Sequence, residues 1–275
     1  MLTISQRPAS LIALFRSLHG HGNLIRRLCS REFSQRFRGS MLGMAWAIIM
    51  PVFTAAIYTF VFSTVFKARW TETTGGPFDF AIIVLTGMVV HGVFAESIAR
   101  APSTVIGNAN YVKKVVFPLE ILPVVIVLSS LINACIGSAI VLTMNLVLKG
   151  MIFPTALLLP LVLGPYAIVV AALVFVLAAV GVYLRDLSQL VSVLITITLF
   201  LTPIFFPIEA VPEEFRSAMW LNPLTFIVQQ VRDVVIFGRL PDFIGLSVYS
   251  LAGLSVLAVA FWIFQRLRNG FADVL

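Results

Sequence analysis

The stretch that decides the fold begins Arg36-Phe37-Arg38-Gly39-Ser40-Met41-Leu42-Gly43-Met44-Ala45-Trp46-Ala47-Ile48-Ile49-Met50-Pro51 and continues through VFTAAIYTFVFSTVF, residues 52–66. Between Arg38 and Lys67 lie 28 residues without a charge. At 1.5 Å per residue, about 20 helical residues cross the hydrocarbon core of a bilayer. An arginine-rich foot therefore runs directly into a membrane-spanning helix. Four further apolar runs of comparable length follow, which excludes a buried helix of a soluble domain.

Composition agrees. Of 275 residues, 60% are hydrophobic and 11% charged, and the mean hydropathy is +1.03. A soluble domain carries about 25% charge. The chain reads as an all-α integral membrane protein with one domain, residues 1–275. The formal charge of +7 does not indicate nucleic acid, because the basic residues sit at the edges of apolar runs. Cys29 and Cys135 make no disulfide framework and are expected as free thiols.

Residues 1–22 are mixed in character, with Pro8 and a loose His19-Gly20-His21-Gly22. Arginines at 7, 16, 26, 27, 31, 36 and 38 are too spread for the basic region of a signal peptide, so the first span is expected as an uncleaved anchor. Residues 23–38 are imperfectly amphipathic. Leu24/Leu28 and Phe33/Phe37 are four apart, with Arg27, Arg31 and Arg38 opposite. Such a stretch reads either as a helix in the headgroup plane, its arginines toward phosphates, or as an ordinary solvated juxtamembrane segment.

Six spans are predicted, at 44–66, 80–100, 121–148, 163–184, 187–206 and 243–264. Pro51 kinks the first near its start. Glu96 and Arg100 are spaced to pair at the end of the second, and His91 within it is expected to pack or hydrogen-bond locally. Pro154, Pro160 and Pro165 push the start of span four to about 163. Pro203 and Pro207 make the end of span five irregular. Residues 207–242 hold pieces too short to cross. They read either as external re-entrant half-helices or as a folded external loop.

Six spans place both termini on one side. If that side is cytoplasmic, the inner loops hold thirteen Lys and Arg against five acidic residues, +8, and the outer loops six against seven, −1. The distribution satisfies the positive-inside rule throughout. Ion-coupled transporters hold carboxylates at mid-membrane; here only Glu96 and Glu120 come close, each toward a cytoplasmic edge. A nucleotide-binding loop needs Gly-Lys followed by Ser or Thr, and the four lysines are followed by Ala, Lys, Val and Gly. No metalloprotease, serine-hydrolase or Asp-rich metal motif occurs in the sequence. The chain is expected to be no enzyme and to bind no cofactor or metal.

The entry motif Arg36-Phe37-Arg38-Gly39-Ser40-x-Leu42-Gly43-x-x-Trp46-x-x-x-x-Pro51 resembles that of ABC-2 permeases exporting polysaccharides and polyol phosphates. Further matches follow in order: Asn110 to Pro118, Tyr183-Leu184-Arg185-Asp186, Thr202-Pro203-Ile204, and Leu221-Asn222-Pro223 with Arg232 downstream. Phe37 stands where many relatives have Tyr. Among these permeases the chain is most similar in look to those of O-antigen lipopolysaccharide exporters, with capsule, teichoic acid and small-lipid or drug permeases as alternatives.

The resemblance implies a half-transporter of type V architecture in the bacterial inner membrane, with both termini cytoplasmic. Two copies would pair, each with one ATP-binding subunit holding ATP and Mg, to export a glycan on a polyprenyl diphosphate. Arg26, Arg27, Arg31, Arg36 and Arg38 would meet the lipid diphosphate or the ATPase. Residues 108–116, with Asn110, Tyr111, Lys113 and Lys114, would couple to the ATPase. Residues 207–242, with Trp220, Asn222, Pro223 and Arg232, would close the path outside. Pyranose faces pack on aromatic rings, and Tyr58, Phe62 and Phe66 in the outer half of span one are candidates for a sugar-stacking collar.

Overall fold

The computed structural model describes residues 10–37, 39–65, 70, 77–112 and 117–275. Among them the ordered structure is helical. Two helices precede the first apolar run: α1 (Leu11–Gly20) and α2 (Gly22–Phe37). Then come α3 (Trp46–Thr59), continued by a wider π-turn at Phe60–Val65, and α4 (Pro77–Arg100). The short α5 (Ala109–Val112) leads to α6 (Ile121–Lys149), α7 (Leu159–Gly181) and α8 (Leu187–Leu201). Two shorter helices, α9 (Glu213–Trp220) and α10 (Pro223–Arg232), come before α11 (Phe243–Arg268) and α12 (Phe271–Val274).

Four helical stretches among the described residues are long and apolar enough to cross a membrane: Asp79–Arg100, Ile121–Lys149, Pro154–Gly181 and Phe243–Arg268. This is an all-α, multi-pass membrane protein. Gly43–Thr59 and Leu187–Leu201 are apolar but shorter.

The prolines account for where the boundaries depart from the sequence reading. Pro154 opens a 3-10 turn and Pro160 falls in the first turn of α7, where no amide hydrogen is required. The helix therefore begins at Leu159 rather than near 163, and it ends at Gly181. Pro203 acts the other way. A residue before proline is driven out of the helical region, and Thr202 is extended at φ −100° and ψ 136°. Helix α8 stops at Leu201, and residues 202–205 are buried without being helical. α11 continues past 264 to Arg268, so Arg266 and Arg268 occupy its last turn, where cations suit the helix dipole.

α1 is a further departure. His19 and Gly20 close a helix whose Ser10 side chain accepts a hydrogen bond from the Ala13 amide. Leu14 is buried against the α7–α11 cluster.

Packing runs along two seams. α7 lies against α11, where Phe175 meets Phe261 and Phe264 edge-on at 5.7 and 5.3 Å. α4 lies against α6, with α10 filling the space between α4 and α7. Apolar surfaces gain little from leaving lipid, so close approach and van der Waals contact hold such seams. Small residues permit the approach. A Cβ on Gly181 would sit 2.3 Å from the Pro102 carbonyl oxygen and 2.6 Å from its Cα. That contact is backbone on backbone and cannot yield by a rotamer change. Gly181→Val is expected to destabilise the fold by about 1–3 kcal/mol, the usual cost of overpacking. Thermal unfolding in detergent checks this, with Gly164→Ala, which meets open space, as the unchanged control.

Candidate functional site

At one end of the bundle an arginine is folded into the protein. Arg232, at the end of α10, is 2% exposed. Its guanidinium donates to the carbonyls of Pro203 at 2.7 Å, Ile204 at 3.0 Å and, more loosely, Ile83 at 3.4 Å. It lies 4.5 Å from the centre of the Trp70 ring, so the ring's negative face meets part of the charge. The break after α8 supplies the receptors, because residues 203 and 204 lie outside any helix and their carbonyls have no ladder to join. Gly87 makes room: a Cβ there would come 3.0 Å from Arg232 Nη2 and 3.1 Å from Ile204.

The same break is held a second way. Asn222 caps α10 by accepting from the Leu224 amide at 3.0 Å, and Pro223 takes the following position, where its missing N–H costs nothing. The Asn222 amide then donates to Thr202 Oγ1 at 2.9 Å. Thr202, Pro203, Ile204, Asn222, Pro223 and Arg232, separate in sequence, form one latch. Nearby, Lys149 pairs with Asp79 at 3.1 Å, Asn145 donates to the Val235 carbonyl at 3.3 Å and Thr155 to that of Val234 at 2.7 Å. These contacts tie the latch region to the starts of α4 and α7 and the end of α6.

At the opposite end, polar side chains gather around α2. Leu28 and Cys29 are buried against Ile121 and Val125 of α6. Burial pushes the Cys29 thiol up, which keeps it neutral and unreactive. Arg100 at the end of α4 is ion-paired to Glu32 of α2, and its other nitrogen lies 3.7 Å from Glu96. Glu96 also accepts from Asn133 at 2.7 Å. Arg31 donates to the Tyr111 hydroxyl at 3.1 Å, and the Tyr111 ring stacks on Phe117 at 4.3 Å. α2 and α5 are thus in direct contact.

A second cluster sits beside it. Glu120 accepts from Ser17 of α1 and from Arg268 of α11, both at 2.8 Å, and Arg268 also donates to the Phe117 carbonyl at 3.2 Å. An exposed groove along α2 is lined by Arg26, Arg27 and Arg31 with Asn23, Ser30 and Ser34. The arrangement offers cations and hydroxyls to an anion. Among the described residues no cluster of His, Cys, Asp and Glu could hold a metal ion.

A family model described as ABC-2 type transporter matches residues 23–236. The chain belongs to the ABC-2 type transporter family. It is 27% identical over 267 residues to the O-antigen export system permease protein RfbA of Myxococcus xanthus, covering 96% of this chain and 99% of that one. A Klebsiella pneumoniae protein of the same name is 26% identical over 90% of this chain and 93% of its own. The polysialic acid transport protein KpsM of Escherichia coli is 22% identical, over 88% and 92% respectively.

The residues singled out in this ABC-2 permease are distributed as follows. Arg26, Arg27 and Arg31 share the exposed groove. Asn110 is exposed on α5, and Tyr111 is turned toward Arg31. Asn222, Pro223 and Arg232 meet in the latch, whereas Trp220 stays at the exposed end of α9. Tyr58 is half-buried, its ring tilted on Phe205 at 4.7 Å. Arg38, Phe66, Lys113 and Lys114, and the side chains of Arg36 and Phe62, lie outside the described residues. His91 is buried, and its Nε2 lies 3.3 Å from Thr198 Oγ1 of α8, a contact between helices far apart in sequence.

Sequence reasoning missed Trp70 and Gly87, and it missed the Ser17–Glu120–Arg268 cluster. No spacing links Glu120 to an arginine 148 residues away. The only clue was a carboxylate standing at the mouth of an otherwise charge-free run.

Replacing Arg232 by Met would leave the buried carbonyls of Pro203 and Ile204 without this donor, at about 1–3 kcal/mol each when nothing replaces it. Arg232→Met is expected to lower the unfolding temperature in detergent markedly. Arg232→Lys, which keeps the charge but not the planar fork, should restore only part of the loss.

Proposed function

We propose that this chain is the transmembrane subunit of an ATP-driven exporter that moves a polyprenyl-diphosphate-linked polysaccharide out of the cytoplasm, O-antigen first among the candidates. The observation that carries this function is colinear similarity over 96% of the chain to an O-antigen export permease. The weaker similarity to a polysialic acid transport protein favours capsular polysaccharide as the second cargo.

In this proposal the chain sits in a bacterial inner membrane with both termini cytoplasmic. α3 and α8 supply the first and fifth of six spans, α3 lengthened by its π-turn and α8 by residues 202–206. Two copies pair, and each recruits one ABC ATP-binding subunit, the component that holds ATP and Mg. The chain supplies no nucleotide loop of its own. The short helix α5 and the residues after it, 108–116, act as the coupling element. Arg31 joins that element to α2, so a push on the ATPase side reaches the basic groove directly. Arg26, Arg27 and Arg31, with Arg36 and Arg38, offer cations to the diphosphate of the lipid carrier.

On the outer side, α9 and α10 are the re-entrant pair, and the Arg232 latch holds them closed between transport events. Tyr58, Phe62 and Phe66 form the sugar-stacking collar, with Tyr58 reaching Phe205 at the base of the latch. A polymer advancing along α3 would therefore meet the latch segment itself.

The test is a double substitution, Lys113→Glu with Lys114→Glu. Membrane insertion should be unchanged, co-purification of the ATP-binding subunit should fall by about tenfold, equivalent to ~1.4 kcal/mol, and export should fall with it. Unchanged export would remove residues 108–116 from the coupling role. Deleting the chain should leave lipid-linked glycan inside the cell, and the sugars recovered identify the cargo. Export or modification of substrate by the lone chain without ATP would overturn the proposal.

A further inference from the structure

Helix α1 has two opposite faces. Leu11, Leu14 and Leu18 recur at helical spacing and turn inward onto the cluster that holds Phe261, Phe264 and Phe271. The other side presents Ile12, 73% exposed, and Phe15, 53% exposed, with Arg16 and His19 also exposed. These four are three and four apart along the helix and so form one stripe. Two large apolar side chains stand there beside two basic ones, and α1 contains no carboxylate.

Contacts with α11 set the depth of this stripe. α11 is long and apolar enough to cross a membrane. Its exposed Val248, Leu251, Val259 and Trp262 recur at helical spacing on one face, which is therefore its lipid face. That face ends at Arg266, whose guanidinium lies 5.5 Å from the centre of the Trp262 ring. A tryptophan followed one turn later by a cation marks the headgroup level at the end of a span. Ser17 of α1 donates to Glu120 at 2.8 Å, and the same carboxylate accepts from Arg268 at 2.8 Å. Arg268 stands two residues past Arg266, about 3 Å along the axis. α1 is thereby fixed at the level where α11 leaves the hydrocarbon.

Charge selects the lipid. On α1, α11 and α12 the exposed charged side chains are Arg16, Arg266 and Asp273, with the His19 imidazole on the same stripe as Arg16. Arg268 and Glu120 are paired with each other. Ile12 and Phe15 can sink among acyl chains while Arg16 reaches back to the phosphates, the arrangement long basic side chains adopt at an interface. We infer that α1 is an interfacial anchor, its Ile12–Phe15–Arg16–His19 face seated in the headgroup layer at this end of the bundle and holding anionic phospholipid. Continuity of level with the lipid face of α11 favours a membrane surface over a protein partner. Through Ser17 and Glu120 the anchored helix braces the end of α11. The anchor is distinct from the basic groove of α2 and independent of the cargo.

The test uses the full chain with the subunits it carries. Cys135→Ser removes the exposed thiol, and Cys29 is buried. Phe15→Cys is then labelled with an environment-sensitive dye and reconstituted into vesicles of equal phosphatidylethanolamine and phosphatidylglycerol. Quenching by a spin-labelled lipid is expected to exceed quenching by aqueous iodide about threefold. Replacing phosphatidylglycerol by phosphatidylcholine should lower the lipid quenching about twofold, and Arg16→Glu should do the same in the original vesicles. Because Arg16 is exposed, the unfolding temperature of Arg16→Glu in detergent should be unchanged; the lipid exchange tests the same point without a mutation. Iodide quenching equal to or above lipid quenching would overturn the inference. Equal lipid quenching with and without phosphatidylglycerol would overturn it too. Protection from both quenchers, lost when the bound subunits are stripped away, would overturn it and assign the face to a protein partner.

Discussion

A guanidinium in the interior of an apolar bundle is a demand that the rest of the structure must meet. Arg232 meets it with backbone rather than with a carboxylate. Its receptors are the carbonyls of Pro203 and Ile204, free because Pro203 ended α8 a turn early. A continuous helix would have used those oxygens in its own ladder. The break, the arginine and the tryptophan face therefore belong together. Neutral dipoles and an aromatic ring hold the charge at close range, and the adjacent Asp233 carboxylate adds electrostatic attraction.

The opposite end uses the other strategy. There the charges are paired: Arg100 with Glu32, and Arg268 with Glu120. Each pair joins elements far apart in sequence, α2 to α4 and α11 to the turn before α6. Glu120 has a second donor in Ser17, so α1, α6 and α11 share one carboxylate. Both ends carry ion pairs, Lys149 with Asp79 beside the latch among them, but the Arg232 guanidinium itself is received by backbone carbonyls.

Much of this was legible beforehand. The uncharged run from Ile121 to Leu148 could only be a long helix, and α6 is one. The coincidence of Thr202-Pro203 with Asn222-Pro223 and Arg232 marked the latch region, although not the contacts within it. The rest was hidden for identifiable reasons. Proline reads as a breaker, but Pro160 begins a helix, because first-turn amides need no partner; only the three-dimensional start distinguishes the two uses. α1 escaped notice because its glycine and histidines sit at its end, where they look like a loop. Glu120 and Arg268 carry no periodic signal at all. Trp70 and Gly87 matter only because Arg232 lies between them, a relation that no local pattern records.

The contact between Gly181 and Pro102 has a mechanical meaning. Most helices in this bundle touch through side chains, which can tilt and absorb small displacements. At this point α7 rests on the main chain of the turn that follows α4, only a few residues ahead of α5. Nothing compressible lies between them. The end of α7 and that turn thus meet as a hard bearing, with no side chain between them to take up a displacement.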